Sequence, residues 1–90
     1  MSAAGKTVWT VRLMGKFKRY GETLEVAASP GVSAGTIKAL IANRLRALTG
    51  NEAVASLVGI SLLTTDTGVV AEGDPPPEGA RLSILPPACS

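Results

Sequence analysis

The sequence has no histidine and a single cysteine, Cys89. The first absence removes the usual general base, any Ser-His-Asp or Cys-His arrangement, and imidazole metal ligation. The second rules out internal disulfides and cysteine-based zinc sites, and a lone thiol fits a reducing compartment. Aromatic side chains are also scarce: Trp9, Phe17 and Tyr20 make up 3% of the chain, so the core must be aliphatic. Long apolar runs are missing too. The longest weakly polar stretch, Ala53–Leu63, is broken by Ser56, Gly59 and Ser61. It falls far short of the ~20 apolar residues that a membrane helix needs. Met1–Thr7 holds one lysine and leads into an alternating segment, not the apolar block of a secretory signal. The expectation is a cytoplasmic protein with no membrane segment, no metal, no cofactor and no catalysis of its own.

What is present is 90 residues, 46% hydrophobic and 18% charged. A chain of this length buries roughly 60–65% of its unfolded surface, so one core must take in nearly every apolar segment. The net charge of +2 is unevenly spread. Residues 1–50 carry eight basic and two acidic groups, and residues 51–90 carry one basic and five acidic groups. Such asymmetry suits an electrostatic face, although solvated surface charge accounts for most of it. Nucleic acid is not the expected partner, because stacking aromatics are few and no recognised motif occurs.

Alternation marks the first strand. Trp9, Val11 and Leu13 fall on one face of Thr7–Met14, with Thr10 and Arg12 on the other. Gly15–Gly21, bracketed by glycines and basic between them, reads as a connection. Glu22–Ala27 alternates again, through Leu24 and Val26, which makes a hairpin that Ser29-Pro30-Gly31 ends. A helix then starts near Ser33, with Ile37, Leu40, Ile41, Leu45 and Leu48 on one stripe. Lys38, Asn43, Arg44 and Arg46 take other positions, mostly toward water. Ser33 suits the N-cap, with Val32 and Ile37 as a hydrophobic staple, and Gly50 suits the left-handed C-terminal position. Gly35 in the first turn counts against the helix. Asn51 caps a shorter helix over 52–58 that Gly59 stops. Ile60–Thr64 reads as a strand, Thr65–Gly68 as its turn and Val69–Ala71 as a short return. Pro75–Pro77 exclude helix and central strand from 72–79, since proline offers no backbone donor. Ala80–Leu85 alternates Leu82 and Ile84 against Arg81 and Ser83, and is the last strand.

This order predicts an α+β fold: a mixed sheet of four to five strands packed on one main helix. A helical crossover places the first and last strands side by side at the centre, which is the β-grasp (ubiquitin-like) arrangement. The expected organisation is an N-terminal tail over 1–6, the β-grasp domain over 7–87, and a C-terminal tail over 88–90.

Three places carry a more specific likeness. Val11-Arg-Leu-Met-Gly-Lys-Phe17 runs from a strand into a basic loop, and Ser29-Pro-Gly-Val-Ser33 leads into the Ile37–Leu48 helix. Glu78-Gly-Ala-Arg-Leu-Ser-Ile-Leu-Pro-Pro87 joins an acidic turn to an alternating strand and a Pro-Pro pair. Together these resemble the MoaD/ThiS family of ubiquitin-like sulfur carriers, the MoaD branch more than ThiS. The resemblance implies a small non-catalytic subunit whose C-terminal carboxylate is adenylated by a partner enzyme and converted to a sulfur-donating thiocarboxylate. It implies a second partner, a larger catalytic subunit of the molybdopterin-synthase type, into which the tail inserts. By this resemblance Pro86, Pro87, Ala88, Cys89 and Ser90 form the carrier tail, and Lys16, Phe17, Lys18, Arg19, Arg81 and Leu85 face the partner. The family's tail ends in Gly-Gly, which passes a narrow channel because it has no Cβ. Here Ala88-Cys89-Ser90 lies where the family leads into that pair, and none of the ten glycines is adjacent to another. A non-carrier ubiquitin-like interaction domain is therefore the alternative.

Other motifs have plainer readings. Asp66-Thr-Gly68 after an apolar run is similar to the aspartic-protease turn, but Asp and Gly are favoured turn residues on their own account. Cys89 has no evident neighbour to lower its thiol pKa and reads as an incidental exposed thiol. Phe17 and Tyr20 flank the Lys16/Lys18/Arg19 cluster and also suit closing one end of the core. The helix stripe is needed for the only core and is not spare for a membrane surface.

Overall fold

A computed structural model of the chain describes residues 7–77 and 79–87. The predicted N-terminal tail over 1–6, Glu78, and the tail residues Ala88, Cys89 and Ser90 lie outside the described residues. Strands β1 (Thr7–Leu13) and β2 (Thr23–Ala28) pair antiparallel in unbroken register, from Thr7 opposite Ala28 to Arg12 opposite Thr23. The alternation has its expected effect: Trp9, Val11, Leu13, Leu24, Val26 and Ala28 are all buried. The connection between the strands is more ordered than a plain loop. Gly15–Tyr20 forms a 3-10 turn, anchored by the buried Phe17, whose N–H donates to Met14 O at 3.1 Å.

Helix α1 (Ala34–Thr49) begins where Ser33 Oγ accepts from Thr36 N at 3.3 Å and ends at Gly50, with φ 67°. Ile37, Ile41 and Leu45 are fully buried. Three side chains depart from the prediction, and the first is Leu40, on the stripe but only half-buried. Leu48 keeps the inward bearing yet is 62% exposed, so the final turn overhangs the core. Lys38 is not directed to water; it is buried, with 7% exposure. Helix α2 (Glu52–Gly59) is capped by Asn51 Oδ1, which accepts from Ala53 N at 2.8 Å, and contributes Val54 and Val58 to the core.

Strand β3 (Leu62–Thr65) starts two residues later than the alternation implies. Ile60 and Ser61 instead close α2, donating their N–H groups to Leu57 O and Val58 O at 3.2 and 3.1 Å. The return strand β4 (Gly68–Val69) is correspondingly earlier and shorter than 69–71, and β5 (Leu82–Leu85) begins after Arg81. The sheet order is β2-β1-β5-β3-β4. β1 and β5 run parallel at its centre, with Val11 opposite Leu82 and Leu13 opposite Ile84. β3 is antiparallel to both β5 and β4. This is an α+β protein with a mixed five-stranded sheet and one main helix, consistent with a β-grasp-like fold. No helix among the described residues is long and apolar enough to cross a membrane.

The proline-bearing segment between β4 and β5 forms no regular element among its described residues, in keeping with its composition. It does cap α1. Asp74 O accepts from Ala34 N at 2.8 Å and Glu72 O from Gly35 N at 2.9 Å, satisfying two first-turn donors that a helix leaves open. Gly35, unfavourable for the helix by propensity, permits this approach: a Cβ there would lie 3.3 Å from Glu72 O.

Candidate functional site

Pro86, in the described part of the predicted carrier tail, meets the basic 3-10 turn beyond the C-terminal end of β5. Met14 N donates to Ile84 O at 3.2 Å, so the chain leaves β1 for the 3-10 turn beside the point where β5 ends. Pro86 then rests on Gly15, where an added Cβ would stand 2.7 Å from Pro86 Cγ. Gly15 also has φ 56°, a left-handed conformation that disfavours other residues. Leu85, Pro86 and Pro87 are half-buried. The chain therefore does not leave the body at Pro86 as a free tail.

The basic residues divide. Lys16, Lys18 and Arg19 are exposed on the 3-10 turn. Phe17, grouped with them as partner-facing, is 0% exposed; its ring is core, and it holds the turn instead of presenting a contact. Arg81 lies before β5, at the strand end opposite Leu85. It lines a shallow groove of about 510 Å³ across the outer sheet face, together with Arg12, Thr10, Ser83 and Asp66. Arg12 also lines a recess of about 310 Å³ with Lys18, Met14 and Glu22, and so joins the Arg81 groove to the basic turn.

Sequence reasoning missed the apolar part of this face. Leu62 stands opposite Leu85 across β3 and β5 and is 50% exposed, and Val69 on β4 is 60% exposed. Leu63 facing inward signals Leu62 outward once the strand is known to begin there. Ile60, beyond the end of α2, is exposed as well.

Behind the sheet, Lys38 Nζ donates to Glu72 Oε2 at 2.6 Å and to Gly59 O at 3.1 Å. The hydrogen bond from Lys38, together with its positive charge, holds the Glu72 carboxyl below the usual glutamate value. This pair ties α1 to the end of α2 and to the capping segment; it does not line the Arg81 groove, but it borders a recess of about 240 Å³ together with Ile60, Leu62 and Val69. Asp66 sits in the β3–β4 turn, where Thr67 N donates to Thr65 Oγ1 at 3.2 Å, an ordinary turn arrangement. No group of three or more metal-ligating side chains occurs among the described residues. The site is thus a shallow groove and an adjoining recess bordered by Arg81, Arg12 and Lys18.

The chain matches no protein-family model, and no curated protein matches it.

Proposed function

We propose that this is a ubiquitin-like β-grasp protein of the MoaD type, a small non-catalytic subunit. Its C-terminal segment enters a larger catalytic subunit of the molybdopterin-synthase kind, in the cytoplasm, as part of molybdenum cofactor biosynthesis. The observation that carries the reading is the placement of the chain's exit. The central strand β5 ends at Leu85, and Pro86-Pro87 follow it beside a basic 3-10 turn, with the exposed Leu62 directly opposite Leu85. A partner taking up the segment beyond Pro87 covers apolar surface around Leu62 and Leu85, and meets Lys16, Lys18 and Arg19 with acidic groups of its own. Arg81 and Arg12 extend that footprint along the outer face.

Carrier chemistry requires the terminal carboxylate to be adenylated by ATP, with release of pyrophosphate, and then attacked by a sulfur nucleophile that displaces AMP. Incubation with an adenylating enzyme of this family, ATP and a sulfur source, followed by mass spectrometry, tests it. Replacement of one C-terminal oxygen by sulfur is expected. An unchanged mass, with binding to the larger subunit retained, removes the carrier role and leaves a second reading, an interaction domain without carrier chemistry. That reading is favoured by the exposed Ile60, Leu62 and Val69, which offer a docking surface without use of the tail.

A further inference from the structure

The sheet has two edges, and they differ. On one side lies β4, two residues long, too short to guide another strand. On the other lies β2, six residues in unbroken register with β1 and containing no proline. Leu13 N donates to Glu22 O at 3.0 Å, which makes that opposed pair a hydrogen-bonded one. Alternation along an antiparallel ladder then turns Leu24, Val26 and Ala28 toward β1. The N–H and C=O groups of Thr23, Glu25 and Ala27 point the other way, and no strand among the described residues lies there.

Beside this edge, between β2 and α1, is a recess of about 300 Å³ lined by Val26, Ala27, Leu40, Asn43 and Arg44. Leu40 is only half-buried. The cations of α1 are not equivalent: Lys38 is bound to Glu72, Arg46 is bound to Glu52 at 2.7 Å and to Asn43, and Arg44 makes no ion pair among the described residues.

We infer that β2 is a docking edge for an extended segment of a partner protein that adds a sixth strand to the sheet and directs an acidic side chain at Arg44. Added-strand recognition takes affinity from main-chain hydrogen bonds and selectivity from alternate side chains. The alternate residues that turn toward α1 meet Val26, Leu40 and Arg44, which select small apolar groups with one carboxylate among them. The residues between them lie beside Glu25 on the outer face, which selects against acids there. This edge is the far side of the sheet from Leu62 and Val69, so the inference stands independently of the tail's role.

The test uses two capped heptapeptides and the full chain. The first is acetyl-Thr-Val-Thr-Asp-Thr-Val-Thr-amide, which puts two valines and an aspartate on one face; the second carries lysine in place of the aspartate. Titration to millimolar peptide, followed by amide NMR, is expected to shift Thr23, Glu25 and Ala27 and to slow their exchange, with the aspartate peptide preferred. Arg44→Glu should reverse that preference by about tenfold. Ala27→Pro removes an outward donor that β1 does not use, a substitution that sheet edges tolerate, and should abolish binding while native amide dispersion persists. Absence of shifts at β2 with both peptides, equal binding of the two, or retained binding in folded Ala27→Pro overturns the inference. Concentration-dependent dimerisation in sedimentation, with the same β2 amides protected in the absence of peptide, overturns it in favour of a second copy of the chain.

Discussion

Lys38 and Glu72, on elements far apart in the sequence, meet at 2.6 Å, with the ammonium buried beside α1 and the carboxylate at the surface. The same ammonium donates to Gly59 O, so one side chain joins the main helix, the end of α2 and the segment that caps α1. Lys38→Met keeps the aliphatic stem and deletes both bonds, leaving the Gly59 carbonyl without that donor. The expected loss is about 1–3 kcal/mol, measured by urea unfolding followed through Trp9, the chain's only tryptophan and a buried one.

The pair also sets a pH dependence. The Glu72 pKa is lowered in the folded protein from its usual 4.5 by the hydrogen bond and charge of Lys38. A lowered native value means that the folded state favours the ionised form. The contribution is therefore fully present above the unfolded value and is lost as pH falls through the lower, native one. Melting temperature measured across the acid range should decline less steeply in Glu72→Gln than in the parent chain. Parallel acid profiles would exclude this coupling.

Two glycines separate backbone strain from crowding. Gly15 and Gly50 have similar φ values of 56° and 67°, but only Gly15 has a neighbour, Pro86, in the space of an added Cβ. Gly50→Ala should cost about 1 kcal/mol for the left-handed conformation alone. Gly15→Ala should cost more, about 2–3 kcal/mol, and should displace Pro86, seen as amide shifts around Met14 and Leu85. Equal stabilities of the two variants would mean that Pro86 does not press on the 3-10 turn.

The helix stripe gives a contrast in core energetics. Ile41→Ala removes a fully buried side chain and should cost about 2–5 kcal/mol. Leu48→Ala, on the same bearing but overhanging the core, should change stability by less than about 0.5 kcal/mol. Thermal denaturation of the two variants side by side reads the difference directly.

For the proposed docking face, Leu62→Asp should leave the melting temperature nearly unchanged, since the side chain is half in solvent. It should weaken binding to the larger subunit about tenfold or more, as loss of an apolar anchor does. Calorimetric titration against the molybdopterin-synthase catalytic subunit measures it.

Much of this arrangement is written in short-range pattern. The hairpin follows from alternation at Trp9, Val11 and Leu13, the main helix from its stripe and from Ser33 and Gly50, and the central pairing of β1 with β5 from element order. Lys38 is different. Seven residues before Leu45, it points within about 20° of that buried leucine, so its inward bearing was available in the sequence. What was not available was the carboxylate that makes its burial affordable, because Glu72 arrives on an irregular segment with no periodicity to place it. The start of β3 was obscured for a similar reason: Ile60 has the composition of a strand, but Ser61 Oγ and two backbone donors spend it closing α2. Of the candidate site, the basic turn and the Pro-Pro exit were legible as segments. Their adjacency depends on a long-range parallel pairing, and the exposure of Leu62 depends on where that strand begins.

Because β5 forms the spine of the sheet and follows every other described strand in the sequence, the order in which these strands assemble is constrained. The β1–β2 hairpin and both helices are local and can form while later residues are still being made. Closure of the molecule waits for residues 82–85 to slot between two partners already in place. A nascent or proteolysed chain lacking those residues is split down the middle, with two apolar strand flanks laid open to its neighbours, and quality-control machinery would meet it as a sticky half-product, not as a trimmed native protein.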